Sequence, residues 1–142
     1  MERVVIALAI VVVVGVVAAV IRRRRPADAP TQVAHTVPQQ LDRADFGHDD
    51  LDWLVVAFTS ASCHTCADMV AKARAAETPQ VGFEEIEYGA QRALHQKYGI
   101  DAVPTVVLVD RSGVVRRSFL GRNSATDLWA GIASARDEAD AS

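Results

Sequence analysis

Cys63 and Cys66 are the only cysteines among 142 residues, and only His64 and Thr65 separate them. They fall where an apolar run, Trp53–Thr59, gives way to Ala67-Asp68-Met69-Val70-Ala71-Lys72-Ala73-Arg74, which has the composition of a helix. A thiolate is a strong nucleophile, and free N–H groups at a helix start favour the anionic form of a thiol placed there. Two thiols one helical turn apart can close an intramolecular disulfide. Such a pair suits dithiol–disulfide exchange, with Cys63 as the attacking thiolate and Cys66 as the resolving thiol. His64 follows the nucleophile directly. As an imidazolium it would favour the Cys63 thiolate and make the couple more oxidising. Two other chemistries compete. The cysteines could form an inert or structural pair, which a reducing compartment disfavours. With His64 they could supply three metal ligands, but all from one short segment with no second pair, so no metal is expected. The remaining histidines, His35, His48 and His95, lie in polar stretches and read as solvated.

The elements that must position this pair follow from periodicity. Trp53–Thr59 is nearly continuous in apolar residues, as a strand covered on both faces is. Residues 63–77 read as a helix that ends at Thr78-Pro79. Residues 81–88 alternate, with Val81, Phe83, Ile86 and Tyr88 inward and an irregularity at Glu84-Glu85. Residues 90–98 read as a helix closed by Gly99. Residues 105–109 and 114–119 form a hairpin across 110–113. Residues 125–138 make a last helix, N-capped by Ser124, with Leu128, Ile132 and either Trp129 or Ala135 inward. Before Trp53, residues 41–46 suggest a short helix or turn, and 47–50 a loop.

The order strand, helix, strand, helix, strand, strand, helix, with Cys63-His64-Thr65-Cys66 early and Val103-Pro104-Thr105 some forty residues later, resembles the thioredoxin superfamily. The resemblance covers roughly residues 53–135. It extends to small membrane-anchored members of the family from actinobacteria, whose Ala/Val/Arg-rich composition this chain shares. It implies an α/β fold with a central mixed sheet flanked by helices. It also implies a cis Pro104 packed against the two sulfurs and a Val103 whose backbone pairs with an extended substrate segment. Gly121 falls where the family has a glycine near the site. The chain departs from thioredoxin proper at several positions. Ser62 replaces the tryptophan before the first cysteine, and Thr65 replaces the proline inside the motif. Ala71 replaces the helix-kinking proline. Ala57 stands six residues before Cys63, where the family carries the buried acid that serves the resolving cysteine.

Half of the residues are apolar, and many of them sit in one block. Residues 4–21 carry no charged or polar side chain. At ~1.5 Å per residue, eighteen residues reach about 27 Å, close to the ~30 Å of a bilayer core. The block reads as a transmembrane helix inserted in lipid, with Arg22, Arg23, Arg24 and Arg25 as a basic collar. A cleaved signal peptide is the competing reading. The block is long for one, and no small-residue cleavage site precedes the arginines. The expected organisation is an anchor over residues 1–25, a flexible Pro/Ala/Thr/Gln-rich linker over 26–40 and a thioredoxin-like domain over 41–142. The positive-inside rule places the domain on the cytoplasmic side of the cell membrane, with an extracytoplasmic domain as the alternative. Residues 1–30 hold five arginines against Glu2 and Asp28, a net of +3; the rest holds ten basic and sixteen acidic residues, a net of −6. So acidic a domain excludes nucleic acid bound by phosphate neutralisation.

The functional expectation is a membrane-anchored thiol–disulfide oxidoreductase. It would act on protein thiols or disulfides together with a thiol reductant or oxidant, through Cys63 and Cys66 and without a cofactor. The alternative is a non-enzymatic adaptor or redox sensor of the same fold that binds a membrane-proximal partner.

Overall fold

The computed structural model describes Val13, Gly15 and residues 35–141. Apart from Val13 and Gly15, the expected membrane span 4–21 lies outside the described residues, as do the arginine collar and the linker as far as residue 34. Among the described residues no helix is long and apolar enough to cross a membrane. The chain divides into two compact units, Met1–Ala34 and His35–Ser142.

The second unit is built on a four-stranded mixed sheet. Strand β1 is Trp53–Thr59, β2 is Val81–Glu87, β3 is Thr105–Asp110 and β4 is Val115–Leu120, in the spatial order β2-β1-β3-β4. β1 and β2 are parallel, while β1 with β3 and β3 with β4 are antiparallel. Helix α1 (Cys66–Arg74) makes the crossover between the parallel strands, α2 (Arg92–Lys97) links β2 to β3, and α3 (Ala125–Asp140) closes the chain. A 3₁₀ turn, Arg43–Asp45, precedes the sheet.

All seven residues of β1 are buried, because both faces of the sheet are covered. Trp53, Val55 and Ala57 pack with Val81, Phe83, Met69 and Ala73 of α1, and Leu128, Ile132 and Ala135 of α3. Leu54, Val56 and Phe58 pack on the opposite face with Leu41, Phe46, Ile86, Val107 and Val109. Val37 packs against this second core, and Gln39 and Gln40 pair with the start of β4.

This two-sided burial explains where sequence periodicity misleads. β2 pairs with β1 residue by residue from Trp53↔Val81 to Thr59↔Glu87, with no irregularity at Glu84-Glu85. Val81 and Phe83 enter one core and Ile86 the other, so a change of inward parity needs no bulge. Tyr88, just beyond the strand, is 38% exposed. His95 is only 2% exposed, and its Nε2 lies 2.9 Å from the Ile86 carbonyl oxygen. Its ring meets Phe58 and Tyr88 edge-on. In α3, Ala135 faces inward, while Trp129 is 46% exposed and donates its indole N–H to the Lys72 carbonyl at 2.9 Å. Ser124 caps α3 as expected, accepting from the Asp127 N–H at 3.0 Å.

The β3–β4 turn shows why a glycine stands at 113. Its φ is +83°, and an added Cβ would collide with the Leu41 carbonyl. Asp110 organises this turn through its carboxylate, which accepts from the Ser112 and Val114 N–H groups.

Candidate functional site

The loop that carries the cysteines leaves the C-terminal end of β1. After Thr59 the chain turns, and the Cys63 N–H donates to the Ser60 carbonyl at 3.0 Å. Helix α1 begins at Cys66, not at Cys63, with Thr65 as the residue before it. Cys63 therefore lies in the turn leading into the helix, and its carbonyl accepts from the Cys66 N–H at 3.3 Å. Both of these turns close i→i+3 bonds, and the i→i+4 bond from the Met69 N–H to the Thr65 carbonyl comes only afterwards, so the helix starts one turn later than composition suggests.

Cys63 and Cys66 form a disulfide, with an S–S distance of 2.13 Å and Cα atoms 5.4 Å apart. The two sulfurs are not equivalent. Cys66, the first residue of α1, is 4% exposed, whereas Cys63 is half-buried, with its Sγ 3.7 Å from the Thr65 hydroxyl. An external thiolate therefore reaches Cys63 more readily, and its attack would expel Cys66 as the leaving thiolate.

Pro104 comes to the same end of the sheet by register. β3 runs antiparallel to β1 with Thr105 opposite Phe58, so residues 103 and 104 lie beside the end of β1 from which the cysteine loop departs. The Val103–Pro104 peptide is cis. The Pro104 carbonyl accepts from the Gly121 N–H at 2.9 Å, and the Thr105 hydroxyl donates to the Ala102 carbonyl at 2.8 Å. Gly121 has φ +66°, a conformation that glycine adopts without a steric cost.

Three cavities lie in this region. One of about 230 Å³ is lined by Val103 and Ala102 together with Ser60, Tyr88 and His95. A second, of about 210 Å³, is lined by Cys63, Cys66, Thr59, Ser60, Glu85 and Glu87. Ser60 borders both. The third, of about 440 Å³, is lined by His64, Thr65, Asp68, Lys72 and Arg122. His64 is exposed and belongs to this third cavity, where Lys72 pairs with Asp68 at 2.6 Å. The structure thus joins Cys63 and Cys66 covalently and brings Val103 and Pro104 to the same sheet end. It leaves His64 on the outer side of the loop. Among the described residues no cluster of three or more His, Cys, Asp or Glu side chains could hold a metal ion.

Glu85, Glu87, Thr59 and Ser60 were not singled out from the sequence. The period of two carried the signal: Val81, Phe83, Glu85 and Glu87 alternate onto one face, with Val81 and Phe83 buried in the α1-side core and Glu85 exposed, and the expected irregularity at Glu84-Glu85 hid it. Glu87 braces the loop. Its carboxylate accepts from the Ala61 N–H at 3.1 Å and the Ala90 N–H at 2.9 Å. The backbone N–H groups of Gly89, Ala90 and Ala61 hold this carboxyl below the usual carboxylate range. Glu85 is bound differently, by a single hydroxyl, with the Thr59 Oγ1 donating to its carboxylate at 2.9 Å.

The family model described as Thioredoxin matches residues 39–134. Among solved structures, a single-substitution mutant of thioredoxin from Halobacterium salinarum is 26% identical, with the match spanning 61% of this chain and 76% of that one and a TM-score of 0.52. Thioredoxin from Fasciola hepatica is 28% identical over 58% of this chain and 80% of its own, with a TM-score of 0.51. The oxidized form of mitochondrial thioredoxin 3 from Saccharomyces cerevisiae is 25% identical over 61% and 81%, also with a TM-score of 0.51. No curated protein matches the chain.

Proposed function

The chain belongs to the thioredoxin family, and on that premise we propose that it is a membrane-anchored thiol–disulfide oxidoreductase acting on protein thiols and disulfides. The observation that carries the proposal is the Cys63–Cys66 disulfide at the entry to α1, with one sulfur accessible and the other covered. In the reducing direction, the Cys63 thiolate attacks a substrate disulfide. A Cys63–substrate bond forms and one substrate thiolate leaves. Cys66 then attacks the Cys63 sulfur, closes the disulfide and releases the second substrate thiolate, so that two electrons pass to the substrate. The oxidising direction is the reverse.

In this proposal Val103 offers its backbone to an extended substrate segment and Pro104 sits against the sulfurs. The cavity lined by Val103, Ser60 and Tyr88, which shares Ser60 with the cysteine cavity, supports an apolar contact for the substrate. His64 acts through charge on the Cys63 thiolate. Residues 4–21 anchor the protein in the cell membrane, with the arginines at 22–25 keeping the domain on the cytoplasmic side. Tethering raises the effective concentration toward membrane-proximal partners.

The test is Cys66→Ser in the full-length protein in cells. Mixed disulfides should accumulate on Cys63, visible on non-reducing gels and abolished by a further Cys63→Ser change. Partners retained after both cysteines are replaced, with no trapped adducts, would instead identify a non-redox adaptor. Labelling intact and lysed cells with a membrane-impermeant maleimide tests the orientation. Labelling from outside would overturn the cytoplasmic placement.

A further inference from the structure

Resolution of a mixed disulfide needs Cys66 as a thiolate, yet Cys66 is 4% exposed, and burial disfavours the charged form of a thiol. Its proton passes into the cavity that both cysteines line, where a carboxylate acceptor would speed the transfer. β1, which runs beneath the site, supplies none: Trp53–Thr59 contains no titratable side chain, and Ala57 is fully buried. The cavity lined by both cysteines has only two other titratable groups, Glu85 and Glu87. Glu85 is the register partner of Ala57 on the adjacent strand.

We propose that Glu85 is the proton acceptor for Cys66, standing on β2 in place of an acid on β1; the proposal rests on the redox function above. The two carboxylates differ in what protonation would cost. Glu87 is held on both carboxylate oxygens by backbone N–H groups that can only donate, so a proton on either oxygen weakens the bond made there. Glu85 is held by the Thr59 hydroxyl, which donates to a carboxylate and can equally accept from a carboxylic acid. Glu85 therefore keeps its partner in both protonation states. A cavity of about 210 Å³ holds several waters, enough to bridge carboxylate and thiol. The other charged groups on this face are Glu87 on β2 and, on α1, Arg74 and the Asp68–Lys72 pair. Arg74 lies over the Phe83 ring, and Asp68 and Lys72 line the His64 cavity. On the opposite face, His95 is bound to the Ile86 carbonyl and Arg92 lies over Tyr88.

The step balances as follows. The Cys66 thiol gives its proton to the Glu85 carboxylate through water. The new thiolate attacks the Cys63 sulfur, the Cys63–Cys66 bond forms and the Cys63–substrate bond breaks. The substrate leaves as a thiolate, and Glu85 returns the proton to it or to solvent. In the opposite direction, protonated Glu85 neutralises Cys66 as it leaves.

The test uses reduced full-length protein in detergent micelles and one equivalent of dithiobis(nitrobenzoate), an aromatic chromogenic disulfide. Attack by Cys63 releases one coloured thiolate, and resolution by Cys66 releases a second. Glu85→Gln should leave the first release unchanged, slow the second at neutral pH by about tenfold or more, and move its pH profile upward. Glu85→Asp should restore most of the second rate. A second release in Glu85→Gln with the wild-type rate and profile overturns the proposal. So does an equal slowing of both releases, which would mean a distorted site. Absence of both releases in the wild-type protein would instead remove the redox function itself.

Discussion

Replacing His95 tests whether a polar-looking helix residue is part of the core beside the site. Its Nε2 lies 2.9 Å from a carbonyl oxygen, which fixes that nitrogen as an N–H donor. Its ring stands edge-on to Phe58 and Tyr88 at centroid distances of 5.3 and 5.2 Å. His95→Ala removes a hydrogen bond from a buried carbonyl, a loss of about 2 kcal/mol. Each lost ring contact adds about 1 kcal/mol. The expected destabilisation is therefore about 4 kcal/mol, a large share of the roughly 5–15 kcal/mol that holds a domain folded. With a urea dependence of about 2 kcal/mol per molar, the unfolding midpoint should fall by roughly 2 M. The assay is urea unfolding of the oxidised protein followed by tryptophan fluorescence, since Trp53 is buried and Trp129 is partly exposed. His95→Phe keeps an aromatic ring but not the donor, and should cost about 2 kcal/mol. A loss of less than about 0.5 kcal/mol in His95→Ala, as for a surface residue, would refute the reasoning.

Ser124→Ala removes the hydroxyl that accepts from the Asp127 N–H and donates to the Asp127 carboxylate, and should cost about 1 kcal/mol in urea unfolding without altering either thiol-exchange step. Asp45 receives hydrogen bonds from Lys97 and from the Tyr98 hydroxyl, which hold its carboxyl below the ordinary 3.8. A depressed carboxyl stabilises the fold above its unfolded pKa and loses that contribution as pH falls through the folded value. Asp45→Asn should therefore lower the thermal midpoint at neutral pH, with the gap to wild type closing as the medium is acidified below the unfolded value. The same contact raises the Lys97 pKa, so its contribution also fades at strongly alkaline pH. A gap that stays constant across the acid range would mean that Asp45 contributes by packing and not by charge.

Much of the fold was legible in the chain. β1 falls at Trp53–Thr59 as its apolar run dictates, because a run without alternation is stable only when both faces are covered. Gly99 closes α2 with φ +62°, and Ser124 caps α3, because these positions are set by local backbone chemistry. The cysteine pair that closes the disulfide was legible as well, since nothing else in the chain carries a thiol.

What the chain alone determined is what depends on neighbours in sequence: the cysteine spacing, the strand runs, the caps and turns, and the split between a basic N-terminal segment and an acidic domain. Tertiary structure decided what depends on segments far apart in the chain. His95 is buried because Phe58, Tyr88 and the Ile86 carbonyl converge on it, which no helical period among Gln and Lys neighbours reveals. Glu85 lines the cysteine cavity because β2 pairs in register with β1 and places it beside Ala57. Cys63 and Cys66 become an outer and an inner sulfur because Cys63 lies in the turn before α1 while Cys66, at the start of the helix, is buried. Each of these outcomes is a property of a contact between elements, and the chemistry assigned to the site depends on all three.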